Sequence, residues 1–186
     1  MQSGAPSRMT AVPTVIVRPA VPVDAPAMAA LHVRAWRAAY VGVLPAAFLA
    51  GLAVEEREAM WRGSLTAPEL APAERAILVA EDAGVILGFT AAGAALGDDE
   101  LGLGELYAIN VDPAAWGGYA GGALLVGATA WLDGRFATSI LWVVESNGRA
   151  RRFYESAGWS PDGATRIDTY EGTRVRNLRY RRAARR

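Results

Sequence analysis

The 186-residue sequence contains no cysteine and a single histidine, His32. The missing thiols exclude disulfides, a cysteine nucleophile and thiolate metal sites. One histidine without cysteine gives no zinc cluster, so no metal is expected. Excess charge of either sign is missing too: 19 basic side chains balance 19 acidic ones. A nucleic-acid partner is therefore not expected, because phosphate binding usually leaves a basic imbalance. Basic charge is local, in Arg149, Arg151 and Arg152 and in the closing RYRRAARR. No apolar run approaches the ~20 residues of a membrane-spanning helix, and residues 1–13 lack the apolar core of a signal peptide. These absences fit a cytoplasmic protein with no membrane partner. Residues 1–13 are expected to form a disordered arm, with Met9 as an alternative start.

What is present is enough apolar material, 52% of residues, for a substantial core. No repeat or low-complexity linker divides it, so residues 14–182 are expected to form one domain, followed by a basic tail at 183–186. Residues 14–19 (TVIVRP) predict a strand. Asp24 is placed to cap a helix carrying MAALHVRAWRAAY, with Pro26 in its first turn. PAAFLAGL and VEEREAMWRGSL predict two more helices, and the two prolines of TAPELAPAE predict a loop. ILVAED and VILGFTAAGAAL read as strands joined by the two-residue turn Ala83-Gly84, and LGLGELYAINV as the next strand. A glycine-rich helix, the strand ILWVVE and a further helix come next. TRIDTYEGTRVRNLRYRR reads as two strands turning at Glu171-Gly172. The fold class is α/β (α+β), with a mostly antiparallel sheet of about six to seven strands flanked by helices. A βαβ crossover before ILWVVE makes one pair parallel, and strands whose ends part leave a crevice for a ligand.

The segment at that crevice is WGGYAGGALL. Glycines let backbone N–H groups approach a ligand, and a helix N-terminus beside them favours negative charge. A phosphate-bearing cofactor fits such a loop. The spacing is neither that of a dinucleotide GxGxxG nor of a P-loop with its Gly-Lys-Ser/Thr. Downstream, NGRARRFYESAGW supplies Asn147 and Tyr154.

Together, ELYAINVDP, WGGYAGGALLVGATAWL, ILWVVE and N-x-R-A-x-x-F-Y-E-x-x-G-W resemble the GCN5-related N-acetyltransferase (GNAT) family. The resemblance covers residues 14 to about 182. Two positions depart from the family's Gln/Arg-x-x-Gly-x-Gly/Ala pattern: Trp116 replaces Gln or Arg, and Tyr119 replaces the first glycine. The resemblance implies N-acetyl transfer from acetyl coenzyme A to a primary amine of a small molecule or a peptide or protein. The alternative is a non-catalytic module of the same fold that binds or senses acyl coenzyme A. The backbone of Ile109 and Val111 would hold the pantetheine arm and polarise the thioester. The loop of Gly117, Gly118, Tyr119, Ala120, Gly121 and Gly122 would take the pyrophosphate. A homodimer also fits the family.

Tyr154 is the candidate general acid toward the leaving thiolate, since a phenol stays protonated at neutral pH; otherwise it is a packed aromatic beside Phe153. Asn147 would contact the pantetheine arm, cap the last helix, or both. Glu105 is the candidate base, directly or through water; strand alternation puts it on the face of Tyr107 and Ile109. Otherwise it is a surface carboxylate. His32, Trp36 and Tyr40 share a helix face by their i, i+4, i+8 spacing. Trp36 and Tyr40 are candidate substrate contacts, while His32 is expected to be partly exposed and not a base. Tyr170 and Arg174 of the last hairpin are further candidates for substrate contact.

Overall fold

The computed structural model describes residues 15–66 and 75–184. The expected N-terminal arm, most of the TAPELAPAE loop and the end of the basic tail lie outside these residues. In chain order the elements are β1 (Ile16–Pro19), α1 (Ala25–Ala39), α2 (Ala46–Gly51), α3 (Val54–Thr66), β2 (Arg75–Asp82), β3 (Val85–Ala94) and β4 (Gly104–Val111). They are followed by α4 (Ala120–Asp133), β5 (Thr138–Val144), α5 (Gly148–Ser156), β6 (Ser160–Tyr170) and β7 (Thr173–Ala183). Among the described residues no helix is long and apolar enough to cross a membrane.

The strands form one seven-stranded sheet in the order β1-β2-β3-β4-β5-β7-β6. Every pair is antiparallel except β4 with β5. The two hairpin turns fall at Ala83-Gly84 and Glu171-Gly172. Both residues of each turn have positive φ (47° and 80°; 45° and 80°), the backbone that suits a two-residue turn to the twist of its strands.

Helices cover both faces. On one, Met28, Leu31 and Ala35 of α1 and Trp61 of α3 pack against Val79 and Phe89. On the other, Leu125, Ala128 and Leu132 of α4 pack against Leu106, Leu141 and Val143. Fully burying a Leu, Val, Met or Phe side chain among these stabilises the fold by about 1.5–3 kcal/mol. Asp24 begins α1, but its carboxylate does not cap the helix. It accepts from the Val21 N–H at 2.8 Å and from the Arg18 guanidinium at 2.7 and 2.9 Å.

Beside the parallel pair, β4 is irregular. Ala91 pairs with Ala108 and Ala92 with Leu106, leaving Tyr107 as the extra residue of a β-bulge in β4. A bulge breaks the two-residue alternation of side chains. Leu106 and Ile109, three apart, therefore both join the cluster under α4. The expectation that Glu105, Tyr107 and Ile109 share one face is corrected accordingly: Ile109 turns toward α4, while Tyr107 packs against the cluster under α1 and α3.

Candidate functional site

The parallel pairing of β4 with β5 lasts only from Gly104 to Leu106. Beyond it the strands part, and the freed edge of β4 borders a cavity of about 420 Å³. Its walls include Ile109 and Val111 of β4, the loop after β4, and Arg149, Ala150, Phe153 and Tyr154 of α5. Asp112 shapes that loop. Its Oδ1 accepts the Ala114 N–H at 3.0 Å, and its Oδ2 accepts from Arg34 Nε of α1 at 2.9 Å. Gly117 takes φ +81°, which L side chains rarely adopt.

Gly117, Gly118, Gly121 and Gly122 line the cavity where α4 begins. The unpaired N–H groups of a helix's first turn and its dipole make such a wall suitable for an anion. A Cβ on Gly121 would sit 3.5 Å from Val111 Cγ2 and 3.7 Å from the Phe153 ring, so a larger side chain there would grow into the cleft. Tyr119 and Ala120 belong to this loop but not to the cavity wall. Tyr119 is 72% exposed, and Ala120 is buried against Ala80 and Leu124. The expected loop contact therefore narrows to the four glycines, with Tyr119 standing outside their concave side.

A second cavity, of about 240 Å³, adjoins the first. Trp36 of α1 and Tyr40 at its C-terminal cap line it, with Tyr107 to Val111 from β4, and Asn147, Arg149 and Tyr154 from α5 and its approach. The aromatic face expected on α1 is present. Trp36 lies 5.1 Å from Tyr40 and 6.4 Å from Tyr170, centroid to centroid. His32, however, is buried at 8% exposure and does not line either cavity. Its Nδ1 accepts the Trp61 indole N–H at 3.2 Å, and burial, aided by Arg57, pulls its pKa down to about 4.

Tyr154 lines both cavities. Burial, with Tyr40 nearby, pushes its phenol well above the usual value; burial likewise raises Tyr40 to about 12. Asn147 caps α5, its Oδ1 accepting the Ala150 N–H at 3.0 Å, while also lining the second cavity.

Glu105 is on neither cavity wall. It is 6% exposed, and its carboxylate accepts the Leu96 N–H at 3.1 Å. It is thus no surface carboxylate, and a direct contact with a ligand in either cavity is corrected. Desolvation raises its pKa, opposed by the Leu96 hydrogen bond. Its charge acts on Tyr107 and it feels Arg166, both lining the second cavity, so it lies one layer behind that wall.

Sequence reasoning passed over Trp142, Arg166, Asp168 and Asn177, which also line the second cavity. Asp168 Oδ2 accepts from Asn177 Nδ2 at 3.1 Å, and Arg166 Nε lies 3.4 Å from Asp168 Oδ1. For Arg166 and Asp168 the signal was present: they alternate with Tyr170 along β6, which puts the three on one face. Arg174 does not line either cavity.

The model of the acetyltransferase (GNAT) family matches residues 32–159. The chain belongs to the GNAT family. An uncharacterised N-acetyltransferase, YuaI of Bacillus subtilis (strain 168), is 33% identical over 135 residues, covering 72% of this chain and 73% of the relative. Among solved structures, the PaiA N-acetyltransferase of Thermoplasma acidophilum, in complex with coenzyme A, has a TM-score of 0.68 at 15% identity. The match covers 91% of this chain and 99% of that one. YncA of Salmonella typhimurium, solved with its cofactor acetyl-CoA, has a TM-score of 0.69 at 16% identity, with 92% and 94% coverage. At these identities the solved structures speak to the GNAT fold.

Proposed function

We propose that this GNAT protein transfers the acetyl group of acetyl coenzyme A to a primary amine of a small molecule or a peptide or protein. The observation that carries the reading is the meeting of the two cavities: a glycine-walled anion cleft and an aromatic, polar chamber share Ile109, Val111 and Tyr154. The cofactor fits its cleft because the wall formed by the loop before α4 and by its first turn carries no Cβ at Gly117, Gly118, Gly121 and Gly122. Those backbones would hold the pyrophosphate. The edge of β4 at Ile109 and Val111 would hold the amide-bearing arm by strand-like hydrogen bonds. Asn147 uses Oδ1 in capping α5, which leaves its Nδ2 for the arm.

When bound, acetyl coenzyme A supplies an activated acyl group. Tyr154 keeps its proton at neutral pH and donates it to the departing sulfur. The amine enters through the second chamber. Trp36, Tyr40 and Tyr170 pack on its carbon skeleton, and Asp168 holds the ammonium. The ammonium proton leaves through water toward Glu105, whose raised pKa brings it nearer the working range of a base. We read residues 14–182 as a single catalytic unit, cytoplasmic in setting, with homodimer formation as a family-level expectation.

A thermal-shift comparison of acetyl coenzyme A with NAD and ATP tests the cofactor, because a ligand of the native state raises apparent stability. No shift at saturating acetyl coenzyme A sinks the reading. The second reading, a module that binds acyl coenzyme A without chemistry, is favoured by one contact: the Trp116 indole already occupies the Val111 carbonyl. Thiol release across a panel of amines separates the two, since only the enzyme gives amine-dependent thiol.

A further inference from the structure

The Trp116 side chain lies at the junction of the two cavities. Its indole N–H donates to the Val111 carbonyl at 2.9 Å, at the end of the β4 edge that β5 leaves free. The Arg149 guanidinium, from the first turn of α5, stacks on the same ring at 3.3 Å from its centroid. Trp116 comes after β4 and Arg149 after β5, so their contact bridges the two strands where they part. Both residues line both cavities.

We propose that the Trp116–Arg149 stack is a clasp that partitions the cleft, and that coenzyme A parts it on binding. This rests on the coenzyme A reading of the cleft and adds the step that binding requires. An amide chain adding to the β4 edge competes with the indole for the Val111 carbonyl. The phosphates bring a second competitor. Among the described residues no carboxylate pairs with Arg149, whose guanidinium is exposed apart from its contact with the Trp116 ring. A guanidinium gains more from a phosphate, through charge-assisted hydrogen bonds, than from a ring face. With Arg149 drawn to the phosphates, the indole is free to leave Val111 and the two chambers join. The acceptor amine then reaches the acyl group only after the cofactor has bound.

Coenzyme A itself is the probe, with binding followed by calorimetry and by tryptophan emission in the wild type, Trp116→Phe and Arg149→Gln. Trp116→Phe keeps a ring but releases the Val111 carbonyl, so it should bind coenzyme A roughly threefold to tenfold more tightly, the worth of one net hydrogen bond. Wild-type emission should change on binding, and that change should vanish in Trp116→Phe. Free Arg149→Gln should already show the emission of the bound wild type; its altered side chain is exposed, which protects the fold. The clasp is overturned if the wild type binds coenzyme A and Trp116→Phe binds it equally or more weakly. It is also overturned if no emission change depends on Trp116. Binding by Trp116→Phe alone supports a clasp too tight to open unaided. Binding by none of the three proteins removes the coenzyme A reading and the clasp with it.

Discussion

At the scale of single residues, Tyr154 and Tyr119 carry opposite expectations. Tyr154 is surrounded by the walls of both cavities, and its burial raises the pKa of the phenol. A protonated phenol there suits donation to a thiolate, whereas Phe keeps the packing and removes the proton. Tyr154→Phe should therefore lower kcat by about 10²–10⁴, the usual worth of general acid catalysis, while leaving the Kd for coenzyme A within about twofold. Steady-state thiol release with calorimetry checks this, and unchanged turnover removes Tyr154 from the acid role. Tyr119 breaks the family's loop pattern, yet its side chain points into solvent. Tyr119→Gly should leave coenzyme A affinity intact or slightly improved; a large loss by calorimetry would make it a cofactor contact. Of the two departures in the loop, Trp116 is the one that lines the cavities.

At the scale of elements, α4 shows stability exchanged for access. Its Gly121 and Gly122 sit in the first turns of a helix that is otherwise rich in good formers such as Ala and Leu. A mid-helix glycine costs about 0.5–1 kcal/mol relative to alanine. A Cβ on Gly122 would have no protein atom within 4 Å and would stand on the cavity wall, so Gly122→Ala should raise the stability of the free protein by up to about that amount in urea titration while weakening coenzyme A binding. Gly121→Leu should keep the helix yet fill the cleft between Val111 and Phe153, lowering coenzyme A affinity by tenfold or more. Retained binding by Gly121→Leu would place the phosphates elsewhere. Much of this architecture was legible in the sequence because its signals are local. The Ala83-Gly84 and Glu171-Gly172 turns, the apolar strands, the crossover and the glycine loop each announce themselves within a few residues. The bulge at Tyr107 was not legible in position, because it is a mismatch with β3 rather than a property of β4. It decides where Glu105 and Ile109 point. The wall of the second cavity was half legible for the same reason: Trp36 and Tyr40 share a helix face, but Arg166 and Asp168 reach them only through the pairing of β6 with β7 and of β7 with β5.

At the scale of the whole molecule, the composition simplifies experiment. All 19 basic residues are arginine, so the chain offers no lysine side chain to its own chemistry. Acetyl label on the protein would then report its N-terminal amine or hydroxyl groups, not lysine. The single histidine likewise isolates one contribution to the pH dependence of stability. His32 titrates near the ordinary 6.5 when unfolded but near 4 when folded, because burial against Trp61 and Phe89 disfavours its charge. As pH falls below 6.5 the unfolded chain takes the proton first, so unfolding becomes easier. The stability is complete above pH 6.5 and is lost progressively down to about pH 4. From these values the loss reaches about 2 kcal/mol at pH 5 and about 3 kcal/mol at the end of the window. Glu105 acts in the opposite sense. Its raised pKa means that the folded state gains a proton before the unfolded one, which favours folding as acid is added. The two must therefore be separated by difference. Urea titrations of the wild type and His32→Gln from pH 7.5 to 5 carry the same Glu105 contribution, and subtraction leaves the histidine. The wild type should lose about 2 kcal/mol more than the variant over that range. Equal slopes would mean that His32 takes up its proton as readily in the folded protein as in the unfolded one, and that its contact with the Trp61 N–H does not hold in solution.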